Sequence, residues 1–178
     1  MGMSADHIAQ QGGGFEPQRQ NNWSLEIVGL TGNDQDLIAL ALSGVSEIPG
    51  AENATVEIAY QNEKRYVAGQ AVTGPFTLTL VDYVDQAIRD AIIRWRRQVY
   101  DPTTGNIGLA KNYKMTGNLI LNAPDDSSYR QGQLLGIWPN KDPGGALDMN
   151  SSEKVLIEVP IVVDKVVWAL GITTGPST

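Results

Sequence analysis

The sequence predicts a mainly β fold: an antiparallel β-sandwich or barrel-like domain with one flanking α-helix at about residues 84–100. Three observations lead there. Apolar residues recur at every second position in a series of short runs, clusters of proline, glycine and aspartate separate those runs, and one stretch alone switches to helical spacing.

Taken in order, residues 1–20 are polar, contain Gln10-Gln11-Gly12-Gly13-Gly14 and follow neither period, so they are expected to form an arm that is flexible in the free subunit. The folded domain is expected over 21–167. It opens near Trp23, where Leu25 and Ile27 alternate with Ser24 and Glu26. The same alternation recurs at Val56, Ile58 and Tyr60, and at Phe76, Leu78 and Leu80 against Thr77 and Thr79, all read as half-buried strands. Asn33-Asp34-Gln35-Asp36 is read as Asx chemistry in a surface loop, because the glycine and distant glutamate of a calcium loop do not follow.

From about Val84 to Tyr100 the period changes. Ile88, Ala91, Ile92, Trp95 and Val99 fall on one helical side, with Arg89, Arg96 and Arg97 opposite. Asp82 or Asp85 is expected to cap this helix, its arginines suit the C-terminal end of the helix dipole, and Asp101-Pro102 stops it. Strands resume at Leu119 and Leu121, at Leu134 to Trp138, and at Val155, Ile157, Val159, Ile161 and Val163 on one face. Pro49-Gly50, Pro124-Asp125-Asp126 and Pro143-Gly144-Gly145 supply the turns. Pro160 interrupts the last long run and should mark an edge or a bulge, since proline donates no ladder hydrogen bond. Residues 168–178 are read as a C-terminal tail.

Chemistry is sparse. There is no cysteine, which removes disulfides, thiolate catalysis and Cys-based metal sites. The lone histidine, His7, sits in the arm with nothing to hold it beside a nucleophile or other ligands. Neither a nucleophile elbow nor a P-loop occurs. Asp125-Asp126 reads as a solvated turn rather than an acid/base pair. No catalytic, cofactor-binding or metal-binding residue is expected, and the chain is not read as an enzyme. No apolar run suits a signal peptide or a membrane span, so synthesis in a cytoplasm and no membrane contact are expected.

The net charge of −7, from 13 Lys and Arg against 20 Asp and Glu, argues against a protein that grips nucleic acid. Arg94-Trp95-Arg96-Arg97 interleaves basic and aromatic groups, but helical spacing turns Trp95 to the apolar side. Ile93 lies exposed among the arginines on this reading, a hint that the helix meets another protein.

Several segments together resemble the major tail tube proteins of contractile-tailed bacteriophages. They are Gln20-Asn21-Asn22-Trp23, Tyr66-Val67-Ala68-Gly69, Trp95-Arg96-Arg97-Gln98-Val99-Tyr100-Asp101-Pro102-Thr103-Thr104-Gly105, Gly108-Leu109-Ala110-Lys111-Asn112-Tyr113-Lys114, Gly136-Ile137-Trp138-Pro139 and Leu147-Asp148-Met149-Asn150-Ser151-Ser152-Glu153. Their order covers about residues 20 to 165. The resemblance implies the tail tube fold and a structural virion protein. Six copies would close into a ring, rings would stack into a hollow tube inside a contractile sheath, and double-stranded DNA would pass without adhering. The implied partners are further copies of the chain, sheath, baseplate and tail terminator proteins. The implied place is the virion tail, assembled in a bacterial host's cytoplasm.

The resemblance also implies a hairpin projecting to the next ring. It is expected over Ser46 to Tyr66, with Gln61-Asn62-Glu63-Lys64-Arg65 as its polar turn and Asn62, Glu63, Lys64, Arg65 and Tyr66 as stacking residues. Arg89, Ile93, Arg96 and Arg97 are candidates for a sheath-facing or subunit-facing surface. Glu57 and Glu158 are candidates for an acidic lumen, since a ring of six multiplies the −7. Related readings are the tube of a tailocin or another contractile injection system and, from a different class, a monomeric ligand-binding β-sandwich using Trp138 or Trp168 as a platform, with a hydrolase more remote.

Overall fold

The computed structural model describes residues 18–84, 87–125 and 127–169. His7, most of the arm, Asp85, Asp126 and the tail from 170 onward lie outside the described residues. Twelve elements follow in chain order among those described: β1 (Trp23–Val28), α1 (Asp34–Ala41), β2 (Leu42–Val45), β3 (Ala51–Tyr60), β4 (Glu63–Thr73), β5 (Phe76–Val81), α2 (Ile88–Val99), α3 (Ala110–Tyr113), β6 (Met115–Asn122), β7 (Ser128–Pro139), β8 (Leu156–Val162) and β9 (Lys165–Trp168). The mainly β, antiparallel prediction holds.

Seven strands form one antiparallel system in the order β1-β6-β7-β8-β5-β2, with β9 also pairing with β7. This system is two sheets sharing one strand. The first half of β7 pairs with β6 and β9, whereas Trp138 and Pro139 pair with Val162 and Ile161 of β8. The switch occurs at Gly136, the unpaired residue where the β6–β7 register shifts between Met115↔Ile137 and Thr116↔Leu135. Its φ of +68° is the left-handed conformation that glycine adopts without penalty. The extra residue also shifts which side faces inward, so Leu134 is buried before the bulge and Ile137 and Pro139 after it. The Asp164 carboxylate lies over Gly136 and accepts from Lys114 Nζ at 2.5 Å, while Asp164 N–H donates to Leu135 O at 3.1 Å. These contacts pin the corner.

Between the sheets lies the core, with Leu25, Leu78, Leu80, Leu134, Ile157 and Val159 among its members. Ile157, Val159, Ile161 and Val163 are buried along the face that the alternation marked. Pro160 pairs with Thr77 on the β5 side. On its other side it falls in a gap, between the end of the β7 ladder and the Gly144↔Glu158 bridge, where its carbonyl accepts from Asn140 N–H at 3.2 Å. A missing donor there disturbs no ladder, so an interior strand carries a proline at a local edge.

The helix α2 closes one side of the core with Ile88, Ala91, Ile92, Trp95 and Val99, the residues the 3.6-residue spacing singled out, all buried. Trp95 Nε1 donates to Tyr113 O at 2.9 Å, which satisfies the one polar atom of the largest core side chain. The helix starts at Ile88 rather than Val84. Asp82 does not cap it; its carboxylate instead accepts from Arg89 Nε at 3.3 Å and Nη2 at 3.2 Å.

A second helix corrects the loop expected at residues 33–36. Asn33-Asp34-Gln35-Asp36 opens α1, whose Ile38 and Ala41 enter the core. Asp34 is buried and accepts from Arg94 Nε at 3.0 Å and from Arg94 Nη2, joining the two helices. Beside this carboxylate the Arg94 pKa is raised, chiefly by the hydrogen bond to Asp34. The acidic residues Asp34 and Asp36 in the first turn, read as turn chemistry, suit the positive end of the helix dipole equally well.

Candidate assembly surfaces

Strands β3 and β4 form a sheet of their own, outside the seven-stranded system. The hairpin runs from Ala51 to Thr73, not from Ser46 to Tyr66. Its turn is only Gln61-Asn62, with Gln61 at φ 54°, because Glu63, Lys64 and Arg65 already pair with Tyr60, Ala59 and Ile58 in the ladder. A bulge kinks it where Asn53↔Ala71 gives way to Thr55↔Ala68, and Asn53 Nδ2 donates to Gly69 O at 3.1 Å across the kink. At its base Thr73 Oγ1 donates to Asp164 O at 3.4 Å, close to the corner at Gly136.

The hairpin corrects a second expectation. Val56, Ile58 and Tyr60 are not half-buried: they are 47%, 48% and 62% exposed, and Val67 is 47% exposed. Cross-strand register puts Val56 beside Val67, Ile58 beside Arg65 and Tyr60 beside Glu63, so these side chains share one face, with the Arg65 guanidinium 6.0 Å from the Tyr60 ring. The opposite face carries Thr55, Glu57, Ala59, Lys64, Tyr66 and Ala68, with Glu57 and Lys64 paired at 2.8 Å. One side of the ribbon is therefore apolar at its centre, and within the described chain nothing packs on it. Of the expected stacking residues, Asn62 occupies the turn, Glu63 and Arg65 flank the apolar face, and Lys64 and Tyr66 are on the other side.

The arginine side of α2 is less open than its spacing implied. Arg89 bonds Asp82 and reaches Pro143 O at 3.5 Å, and Arg96, 19% exposed, lies 3.8 Å from Asp142 and beside the Tyr100 ring. The segment after β7 thus folds over both. Ile93 is half-buried rather than exposed, while Arg94 and Arg97 face outward. Glu57 and Glu158 fall on different sheets: Glu57 on the hairpin, Glu158 exposed on β8 and bridged through its backbone to Gly144.

Loop carboxylates serve local structure. Asp101 accepts from Thr103 N–H at 2.9 Å and from the Thr104 hydroxyl at 3.1 Å, and these bonds hold it below the usual carboxylate range. Asp125 is lowered in the same way, first by the Ser127 hydroxyl. The tryptophans proposed as ligand platforms are used internally. Trp168 closes over Gly132, where even a Cβ would come within 2.9 Å of the indole, and Trp138 meets Tyr113 edge-to-face at 5.7 Å. Among the described residues no group of three or more His, Cys, Asp or Glu gathers to hold a metal, and no helix is long and apolar enough to cross a membrane.

No protein-family profile matches the chain, and no curated protein resembles it in sequence. Its fold is nonetheless shared with solved tube particles. A chain of the extended sheath-tube complex of the PVC extracellular contractile injection system superposes with a TM-score of 0.64 at 13% identity, covering 94% of this chain and 99% of that one. A chain of the 6-fold symmetrised baseplate of the anti-feeding prophage gives 0.60 at 12% identity, with 89% and 98% covered. The SPP1 tail tube gives 0.54 at 9% identity, with 85% and 78% covered. The chain has the tail tube fold.

Proposed function

We propose that this chain is a structural, non-enzymatic tube subunit: copies close into six-membered rings, and the rings stack into the hollow tube of a contractile tail. The observation that carries the reading is the β3–β4 hairpin. An isolated two-stranded ribbon is at best marginally stable in water, and an exposed row of Val56, Ile58, Tyr60 and Val67 is stabilised when a partner covers it. Docking on the next ring supplies that partner. A head-to-tail contact of this kind does not close on itself, so it propagates into a filament. Sheath, baseplate and terminator proteins are the further partners, in line with the particles that share the fold.

In a bacteriophage such a tube conducts double-stranded DNA into the host, and the acidic chain suits passage without adhesion. The likeness to the PVC and anti-feeding particles favours a second reading, the tube of a contractile injection system with a different cargo. Electron microscopy of the purified protein tests the shared premise: hollow tubes or rings are expected, and a persistent monomer at high concentration refutes it. Nucleic acid inside particles isolated with the tube separates the two readings.

A further inference from the structure

The sheet containing β2, β5 and β8 has two unlike ends. At the end marked by Phe76↔Ile161 the β3–β4 hairpin leaves the body: Ser46 N–H donates to Thr77 O at 2.9 Å just before it, and Gly74 N–H donates to Gly50 O at 3.3 Å across its base. Every residue of β3 is exposed, so the ribbon stands off the body instead of lying back along it. The opposite end is marked by Val81↔Leu156 and by the bond from Asp82 N–H to Val155 O at 3.0 Å. The two ends are about 17 Å apart, the rise of β5 between Phe76 and Val81.

Large apolar side chains lie uncovered at this second end. Tyr83 and Val84 follow β5 directly and are 47% and 103% exposed; Leu147 and Met149, in the connection that returns to β8, are 82% and 104% exposed. The connection is held in place. Gly144 and Glu158 exchange two backbone hydrogen bonds of 3.0 Å, a Cβ at Gly145 would come within 2.4 Å of Leu156 O, and the Asp148 carboxylate accepts from Asn150 N–H at 2.9 Å. Leu147 and Met149 flank that turn, so a bonded backbone holds two apolar side chains out in solvent, the mark of a surface meant to be covered.

We infer that Tyr83, Val84, Leu147 and Met149 form the seat for a hairpin of the next ring, covered by the Val56, Ile58, Tyr60 and Val67 face of another copy. This deepens the tube reading and rests on it, by naming the surface that the hairpin meets. Polarity supports the pairing: hairpin and seat occupy opposite ends of one sheet, so each contact leaves a free hairpin and a free seat behind it and propagates rather than closing a dimer. Charge agrees in sign. Arg65, on the hairpin face, forms no ion pair among the described residues, while Asp90 shares a cleft with Tyr83 and Val84, and Asp148 stands exposed between Leu147 and Met149. Area sets the strength. Covering both surfaces removes roughly 900 Å² from water, short of the ~1,200 Å² of a stable pair, so lone subunits do not hold one another this way. Between two rings six such contacts act together, and stacking waits for the ring.

Met149 reports on the seat without any substitution. Under dilute peroxide, followed by mass spectrometry, it is expected to oxidise about tenfold more slowly in tubes than in the free subunit, with the buried Met115 as internal reference. Equal oxidation in both states overturns the seat while leaving the tube reading intact; wild-type protein that never forms tubes or rings overturns the tube reading itself. The occupant is identified by cysteine pairs in the cysteine-free chain, Ile58→Cys with Met149→Cys or Tyr60→Cys with Leu147→Cys. Within one copy the length of β5 alone keeps these positions beyond the reach of a disulfide. Mild oxidation of such tubes is expected to give a reducible ladder of covalent oligomers, and each single variant no more than dimers. Protection of Met149 with no ladder from either pair rejects the hairpin as occupant. Should the cysteine variants not assemble, Leu147→Glu with Met149→Glu decides: tubes are expected to be lost with the urea midpoint of the subunit unchanged, and tubes of normal length reject the contact.

Discussion

Gly136 holds φ at +68° where β7 leaves one sheet and enters the other, and a Cβ built there would lie 2.2 Å from Asp164 Oδ2 and 2.6 Å from its Cγ. Two separate costs oppose any side chain at this position, the left-handed backbone and the collision. Gly136→Ala is expected to destabilise the subunit by about 1–3 kcal/mol, measured as a shift in the urea midpoint. Measured against Asp164→Ala alone, which itself removes the Lys114 ion pair, the glycine substitution should cost less than it does in the wild-type chain, the difference being the part due to collision with the carboxylate. Gly105, at φ +72° with open space around it, isolates the conformational part: Gly105→Ala should cost about 1 kcal/mol. Equal losses at the two glycines would show that the corner is not tightly packed.

At the scale of elements, the hairpin separates what a periodic sequence says from what a single chain can display. Alternation at Val56, Ile58 and Tyr60 reports that one side of the strand is meant to be covered, and says nothing about whether the covering atoms belong to the same molecule. Hence the strand was legible and its surroundings were not. Helix α2 was legible for the complementary reason, that its apolar stripe is wide and its partner is the core of its own chain. Helix α1 was obscured because it spans little more than two turns and its apolar residues, Leu37 to Ala41, are consecutive rather than set at helical spacing, so Asn33, Asp34 and Asp36 looked like a turn; their capacity to open a helix became evident only with Arg94 seated on Asp34. The hairpin makes the sharpest prediction at this scale. Ile58→Glu, alone or with Val56→Glu, should change the unfolding free energy of the isolated subunit by no more than about 0.5 kcal/mol, as for other exposed positions. On the proposed stacking role the same variants should eliminate sedimentable tubes, because each places a charge on the face assigned to the next ring. Tubes of normal length from the double variant would show that this face is not the stacking surface.

For the whole molecule, the outer face of the β1-β6-β7-β9 sheet carries amides, hydroxyls and aliphatic side chains with one acid, Glu26, and one base, Lys165, and in the proposed tube it is taken as the wall of the bore, so most of the net charge of −7 lies elsewhere. An acidic chain surrounding a near-neutral wall repels a polyanion weakly and at long range, while the amides in contact with it supply no fixed cation to hold a phosphate. Retention of DNA by assembled tubes should therefore be negligible even at low ionic strength and should show no measurable salt dependence. Converting two wall amides to bases, Asn118→Lys with Gln133→Lys, creates the missing phosphate contacts in every copy along one row of the sheet. Tubes of that variant are expected to retain linear DNA at about 50 mM salt and to release it by about 200 mM, the signature of counterion release. The experiment is read by cosedimentation, with the same paired substitution at Thr77 and Thr79 on β5 of the second sheet as the comparison. If the β5 variant retains DNA and the Asn118, Gln133 variant does not, the second sheet, and not this one, is the face that meets DNA.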